Sequence, residues 1–222
     1  MKKSIYLWSI GMATAICMVV GLAYHIFGSG KYEERTEAIE QFSEIEAGTE
    51  IMDIKIVAGD DYEIRYRCDE TSAPFYEVKD GVLIITQENR KGFLVGQKNK
   101  NLDLTVTVPR EAVLKTINVI ADVGNIRLIG IKADKGEIES DIGDVKLENC
   151  DFTDLRVVSD IGDIETEFVG SSSDYTLDLS SSIGEIELNG QEIVGDYYEP
   201  GTTEKMIRVI ADIGDVEMNF GQ

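Results

Sequence analysis

ADVGNIRL at 121–128, SDIGDVKL at 140–147, SDIGDIET at 159–166, SSIGEIEL at 181–188 and ADIGDVEM at 211–218 are five copies of one phrase. Their central glycines, Gly124, Gly143, Gly162, Gly184 and Gly214, are 19, 19, 22 and 30 residues apart. A period near 20 suits one coil of a β-solenoid, in which each copy buries its apolar face against the next. The last two gaps leave room for insertions. The phrase speaks strongly for an architecture and hardly at all for an activity.

Aligned on the glycine, apolar residues recur at −5, −1, +2 and +4. The −5 set is Val119, Ile138, Val157, Leu179 and Val209, and the +2 set is Ile126, Val145, Ile164, Ile186 and Val216. At +4 stand Leu128, Leu147, Thr166, Leu188 and Met218. Steps of two put these side chains on one face of a strand. The −1 residues, Val123, Ile142, Ile161, Ile183 and Ile213, are expected to reach the same core from within the corner. Glycine fits a corner that needs positive φ, which a β-branched residue resists. Asp122, Asp141, Asp160 and Asp212 stand two residues before it, with Ser182 in the fourth copy. Side chains of this kind accept a hydrogen bond from the backbone two residues on, and Asx-turn closure is their expected role.

Stacked coils bring identical corners to about 4.8 Å. Two carboxylates at that distance in water repel by roughly 0.9 kcal/mol, less in salt. The +1 residues, Asn125, Asp144, Asp163, Glu185 and Asp215, add a second acidic column. Turn hydrogen bonds or a bridging cation must offset this repulsion. Oxygen-only ligands suit Ca²⁺. No EF-hand loop or glycine-rich calcium nonapeptide accompanies them.

The chain begins MKKS and continues from Ile5 to Phe27 without a charged residue. Such a helix would measure about 35 Å, enough to cross a hydrocarbon layer of about 30 Å. Lys2 and Lys3 favour a cytoplasmic amino terminus, and Tyr6, Trp8 and Tyr24 suit the two interfaces. A cleaved signal peptide would have a shorter apolar core ending in small residues, where this one ends in Tyr24-His25-Ile26-Phe27. The expected organisation is a tail at 1–4, a transmembrane helix at 5–27, a charged linker at 28–41 and an extracytoplasmic domain at 42–222. His25 is the only histidine, so a histidine base or ligand is excluded from the outer domain.

From Phe42 the pattern turns to period two. Ile54 and Ile56 are followed by a turn at Gly59-Asp60-Asp61, then by Tyr62, Ile64 and Tyr66. Asp80-Gly81 signals a hairpin into Val82-Leu83-Ile84-Ile85. ENRKGFLVGQKNKN at 88–101 is the one locally basic stretch, and reads as a solvated loop. Leu102, Leu104, Val106 and Val108 alternate as far as Pro109. Nothing after Phe27 has a helical period, so the domain is expected to be all-β.

Acidic residues outnumber basic ones 42 to 21 over 222 residues. With Lys2 and Lys3 set aside, residues 31–222 hold 42 acidic and 19 basic side chains, a formal charge of −23. That sign repels nucleic-acid phosphates and anionic lipid surfaces. It suits either plain solubility or a cationic partner. Three cysteines, Cys17, Cys68 and Cys150, are too few for a disulfide framework or a thiolate zinc site. Cys150 aligns with Ile131 and Val169 and reads as a small core residue. Whether it pairs with Cys68 is left open by the sequence.

LTVTVPREAVLKTINVIADVGNIRL at 104–128, followed by further SDIGDVKL-type copies, resembles the bacterial putative-adhesin family of β-strand repeat proteins. The resemblance covers about residues 42–222 and implies a β-solenoid-like fold on the cell envelope. The family's activity is largely undefined, and fold does not imply function. This chain departs from the family pattern at Ser182 and in the insertion NGQEIVGDYYEPGTTEK at 189–205.

The leading expectation is a non-enzymatic, membrane-anchored envelope protein presenting an acidic repeat surface for interaction, adhesion or sensing. A polysaccharide-acting β-helix enzyme would need an assignable acid pair with a positioned cation. Arg127, Lys146, Arg156 and Arg208 are scattered through the repeat, and no catalytic, cofactor-binding or metal-ligating residue is assigned. A Ca²⁺-stabilised binding module is the third class. Tyr197 and Tyr198, adjacent aromatics in the insertion, are a candidate partner contact, with packing against the repeat as the alternative.

Overall fold

The computed structural model describes residues 32–69, 72–88 and 102–221. The tail at 1–4, the apolar segment at 5–27 with Cys17 and His25, and most of the basic stretch lie outside the described residues. Among the described residues no helix is long and apolar enough to cross a membrane. The all-β expectation holds for them: there are eighteen strands and one short 3₁₀ turn at Ser172–Asp174.

β1 (Tyr32–Ala38), β2 (Glu44–Ile51), β3 (Asp53–Gly59), β4 (Glu63–Asp69), β5 (Phe75–Lys79), β6 (Val82–Gln87) and β7 (Asp103–Pro109) precede the first phrase. The repeat region holds β8 (Leu114–Val123), β9 (Ile126–Ile129), β10 (Lys132–Ile142), β11 (Val145–Ile161), β12 (Ile164–Val169), β13 (Tyr175–Ile183) and β14 (Ile186–Leu188). β15 (Gln191–Ile193), β16 (Tyr197–Glu199), β17 (Lys205–Ile213) and β18 (Val216–Gly221) complete the chain.

Each phrase is a corner. The strand before its glycine lies in one sheet and the strand after it in a second sheet. One sheet stacks β6, β2, β8, β10, the second half of β11, β17 and β13 in parallel. The other stacks β7, β3, β9, the first half of β11, β12, β18 and β14, also in parallel. β11 belongs to both sheets, bending at Asn149, whose φ is 52°. Gly130, with φ 67°, occupies the same bend one coil away, where its N–H donates to the Glu148 carbonyl at 2.8 Å.

The order of coils in space is not their order in the chain. The corner at Gly214 lies between those at Gly162 and Gly184: Gly162 N–H donates to the Ile213 carbonyl at 2.9 Å, and Gly214 N–H to the Ile183 carbonyl at 3.0 Å. The 189–205 insertion makes this possible. It leaves β14, lays β15 antiparallel on β14 and β16 antiparallel on β13, and only then returns as β17 inside the stack. Both open edges of the outermost coil are thereby covered, and the carboxyl-terminal β18 pairs on both sides. The far end is finished in the same manner. β4 runs antiparallel on β7 with β1 beyond it, and β5 antiparallel on β6. The charged residues 32–38, within the segment read as a linker, thus run as an edge strand. Asp80 and Gly81, with φ 53° and 81°, make the hairpin turn between β5 and β6 that their sequence signals.

The core lies between the sheets. The −5, +2 and +4 columns are at most 9 % exposed in all five phrases. The −1 column is not in the core. Val123, Ile142, Ile161, Ile183 and Ile213 are 45–66 % exposed. The strand alternation that buries −5 buries −3 next, at Ala121, Ser140, Ser159 and Ala211, and these small side chains fill the inside of the bend. The corner then turns, and everything from −2 to +1 sits on its convex side.

Glycine is required at the corner by close approach as well as by φ, which is 147–158° in the five copies. A Cβ on Gly143 would lie 2.2 Å from the Gly124 carbonyl oxygen, and the other four would lie 2.0–2.4 Å from the carbonyl beneath them. Replacing Gly143 with Ala is expected to cost about 3 kcal/mol or more in urea unfolding. Gly48, on β2 with open space around its Cβ position, should tolerate Ala within about 0.5 kcal/mol. Equal losses at the two positions would contradict this account of the corner.

Candidate functional site

The glycine corner recurs in five successive coils, so it is the natural place to look for a surface with a purpose. A sixth corner lies beneath the first. TEIMDIKI at 49–56 pairs in register with 121–128, placing Thr49 beside Ala121, Ile51 beside Val123 and Ile54 beside Ile126. Met52 stands where the phrase has glycine. The coil beyond it is β6 and β7, paired with β2 and β3, and no copy of the phrase joins them in the sequence. Gln87 Oε1 accepts the Glu50 and Ile51 N–H groups there, at 3.2 and 3.0 Å. Without the glycine this copy lacks the phrase's most visible mark, although its I-x-D-I-x-I spacing of Ile51, Asp53, Ile54 and Ile56 matches.

The side chains that tie the corners together are not those expected. Each +1 side chain accepts a hydrogen bond from the +1 backbone N–H of the next coil. Asp53 Oδ1 accepts from Asn125 at 2.8 Å, Asn125 Oδ1 from Asp144 at 2.9 Å, and Asp144 Oδ1 from Asp163 at 3.0 Å. Asp163 Oδ1 accepts from Asp215 at 2.9 Å, and Asp215 Oδ1 from Glu185 at 2.8 Å. Glu185 belongs to the outermost corner and has no further N–H to serve, which explains the longer residue there. Closure within the bend comes from −3: the Ser140 and Ser159 hydroxyls donate to their own glycine carbonyls at 3.1 and 3.3 Å, and Ser181 to that of Gly214 at 2.9 Å.

Asp122, Asp141, Asp160 and Asp212 therefore do not close Asx turns. Among the described residues none of the four makes a side-chain hydrogen bond or an ion pair. They form an exposed column, in register from Glu50 through Asp122, Asp141, Asp160 and Asp212 to Ser182. Partial burial, with the neighbouring charges of Asp141 and Glu50, pushes the Asp122 carboxyl above the ordinary aspartate value. Between this column and the +1 column runs the exposed −1 ridge. The convex edge of the stack thus reads acid, aliphatic, acid at three of the five phrase levels, with Asn125 and Ser182 each replacing one acid in the other two.

The basic side chains of the repeat lie on the flat faces. Arg127 pairs with Glu148 at 2.7 Å, Arg156 with Glu139 at 3.3 Å and Arg208 with Asp178 at 2.7 Å, while Lys146 bonds Glu165. A shallow concavity of about 240 Å³ on one face is lined by Glu137, Asp154, Arg156 and Arg208. Its two arginines already face carboxylate partners. Among the described residues no group of three or more His, Cys, Asp or Glu side chains is placed to hold a metal ion.

Tyr197 and Tyr198 lie on β16 and point to opposite sides. Tyr197 is half-buried against the core and its hydroxyl bonds Glu199, whereas Tyr198 is 67 % exposed. Only Tyr198 is available as a contact. Cys150 and Cys68 are both buried free thiols with no disulfide between them, and burial lifts the Cys150 pKa to about 11.

Parallel coils closed by antiparallel caps, with a glycine at five stacked corners, define a class of all-β repeat domain. The chain matches the Toastrack DUF4097 family over residues 42–220 and belongs to it. Among solved structures it resembles a putative cell adhesion protein from Clostridium sporogenes, at 17 % identity and a TM-score of 0.65, over 87 % of this chain and 100 % of that one. It also resembles a putative adhesin from Bacteroides fragilis, at 14 % identity and a TM-score of 0.44, over 87 % and 98 % of the two chains. Identities this low speak for the fold alone. No curated protein matches the sequence.

Two outcomes follow from the corner. Asp144→Ala orphans the Asp163 N–H and should cost about 1–2 kcal/mol, while Asp144→Asn should cost under about 0.5 kcal/mol, as Asn125 already fills that role one coil away. Equal costs by chemical denaturation would remove the ladder as a stabilising element. For Asp122, a folded-state pKa above the unfolded one means that ionisation opposes folding. Asp122→Asn should therefore raise the melting temperature at neutral pH and low salt. The gain should shrink as pH falls through the raised pKa and vanish below the ordinary value of about 3.9.

Proposed function

We propose that this is a non-enzymatic cell-envelope protein. The apolar segment at 5–27 anchors it, the amino terminus is cytoplasmic, and the repeat domain is held outside the membrane as a rigid acidic surface for interaction. The observation that carries this reading is the pair of carboxylate columns along the convex edge. No ion pair reaches Asp122, Asp141, Asp160 or Asp212 among the described residues, while Arg127, Lys146, Arg156, Lys205 and Arg208 pair with other carboxylates. A scaffold needing only solubility would have no reason to leave its least compensated charge in one continuous line. The description of the Clostridium sporogenes neighbour as a putative cell adhesion protein agrees with an interaction role.

Two measurements test it. Val194 is 94 % exposed in the insertion, while Cys150 is fully buried and Cys68 only 1 % exposed. In intact cells a Val194→Cys variant should react with a membrane-impermeant maleimide, and labelling only after lysis would overturn the orientation. The purified full-length protein should bind oligolysine and not oligoglutamate, weakening steeply between low and physiological salt. No binding of oligolysine at low salt would overturn the acidic-surface reading.

A further inference from the structure

Of the nine large hydrophobic residues exposed among the described residues, five are the −1 residues of one edge: Val123, Ile142, Ile161, Ile183 and Ile213. Stacked in register about 4.8 Å apart, they make a ridge about 19 Å long. Each is in register with the −1 residue of the adjoining coil, and 45–66 % of its surface is exposed. That part faces solvent, where threonine would serve the bend's extended backbone without exposing apolar surface. Continuous apolar exposure with a charged rim marks interaction sites.

Resting on the acidic-surface reading above, we propose that this edge is a docking site for a cationic amphipathic helix, its apolar stripe on the ridge and its Lys or Arg side chains over the two carboxylate columns. The profile across the edge selects this occupant. A helix with an apolar stripe carries its charges on both flanks of that stripe, matching acid, aliphatic, acid. An extended strand that lays its apolar face on the ridge turns its alternate residues away from the columns. A second copy of the chain would set carboxylates against carboxylates, and an anionic lipid surface is repelled in the same way. A helix of about 14 residues covers about 21 Å, the length of the ridge.

The test uses full-length protein in nanodiscs of zwitterionic lipid, with empty discs as the blank, and three probes. These are a helix-forming Leu/Lys peptide of about 14 residues, a scrambled peptide of the same composition without helical amphipathicity, and oligolysine of equal charge. The Leu/Lys peptide should bind about tenfold more tightly than the scrambled one. Ile142→Ser/Ile161→Ser/Ile213→Ser should lose about tenfold for that peptide and less than about twofold for oligolysine. Circular dichroism and melting verify that this variant is folded. Asp141→Asn/Asp160→Asn/Asp212→Asn removes charge from side chains that bond nothing else, and should weaken both cationic probes. The docking site is overturned if the serine variant binds the Leu/Lys peptide as the native protein does, or if scrambling changes nothing. In either event retained oligolysine binding leaves the acidic-surface reading standing. Loss of all cationic binding takes both down.

Discussion

Everything in this domain depends on the absence of one atom. At each of the five phrase corners the glycine comes so near the next coil that a β-carbon would sit within 2.4 Å of a carbonyl oxygen. That approach lets the corner backbones exchange hydrogen bonds at strand spacing through the bend, so the two sheets are joined by pairing and not by loose loops. The +1 side chains then extend the pairing outward, converting a column of acids that ought to repel into a column of acceptors. Each such bond to an ionised oxygen is stronger than a neutral one, which sets it against a repulsion of roughly 0.9 kcal/mol per contact.

Once the +1 acids are understood as structural, the −2 acids stand apart. They have the same sign and the same spacing but no partner, and the uncompensated line they make is the part of the corner that stability does not explain. The aliphatic ridge beside them has the same character. A convex bend need not carry Ile or Val in every copy, and burial of the core is complete without them. Scaffold chemistry and surface chemistry therefore interleave within eight residues: −3, the glycine, +1, +2 and +4 build the stack, while −2 and −1 dress its edge.

Much of this was legible in the residues. Period-two alternation and the glycine phrase carried the all-β class, the buried −5, +2 and +4 columns and the Asp80-Gly81 hairpin. The −1 residues misled because apolar character at an even step from −5 reads as core, and the glycine's effect on alternation is invisible until the backbone is seen. The Asp and Ser of the phrase exchanged roles for a related reason. Both types serve turns, but a carboxylate only accepts, so the bond to the glycine carbonyl falls to the serine hydroxyl. The sixth corner was hidden by Met52, which is buried and does not share the positive φ of the phrase glycines. The order of the coils was out of reach, since nothing local records that β17 passes between β11 and β13. One trace of it does exist: the outermost copy, SSIGEIEL, is the one that departs at both −2 and +1, as end repeats do.

The interleaved stack is the central structural claim, because the continuity of both acidic columns and of the ridge depends on it. Nuclear Overhauser contacts between corner glycines test it directly, since stacked corners are about 4.8 Å apart and coils two steps away are at about twice that distance. The structure predicts contacts from Gly214 to both Gly162 and Gly184, with none between Gly162 and Gly184. A direct Gly162 to Gly184 contact, with Gly214 at the end of the series, would show that the coils stack in chain order and would break the edge described here.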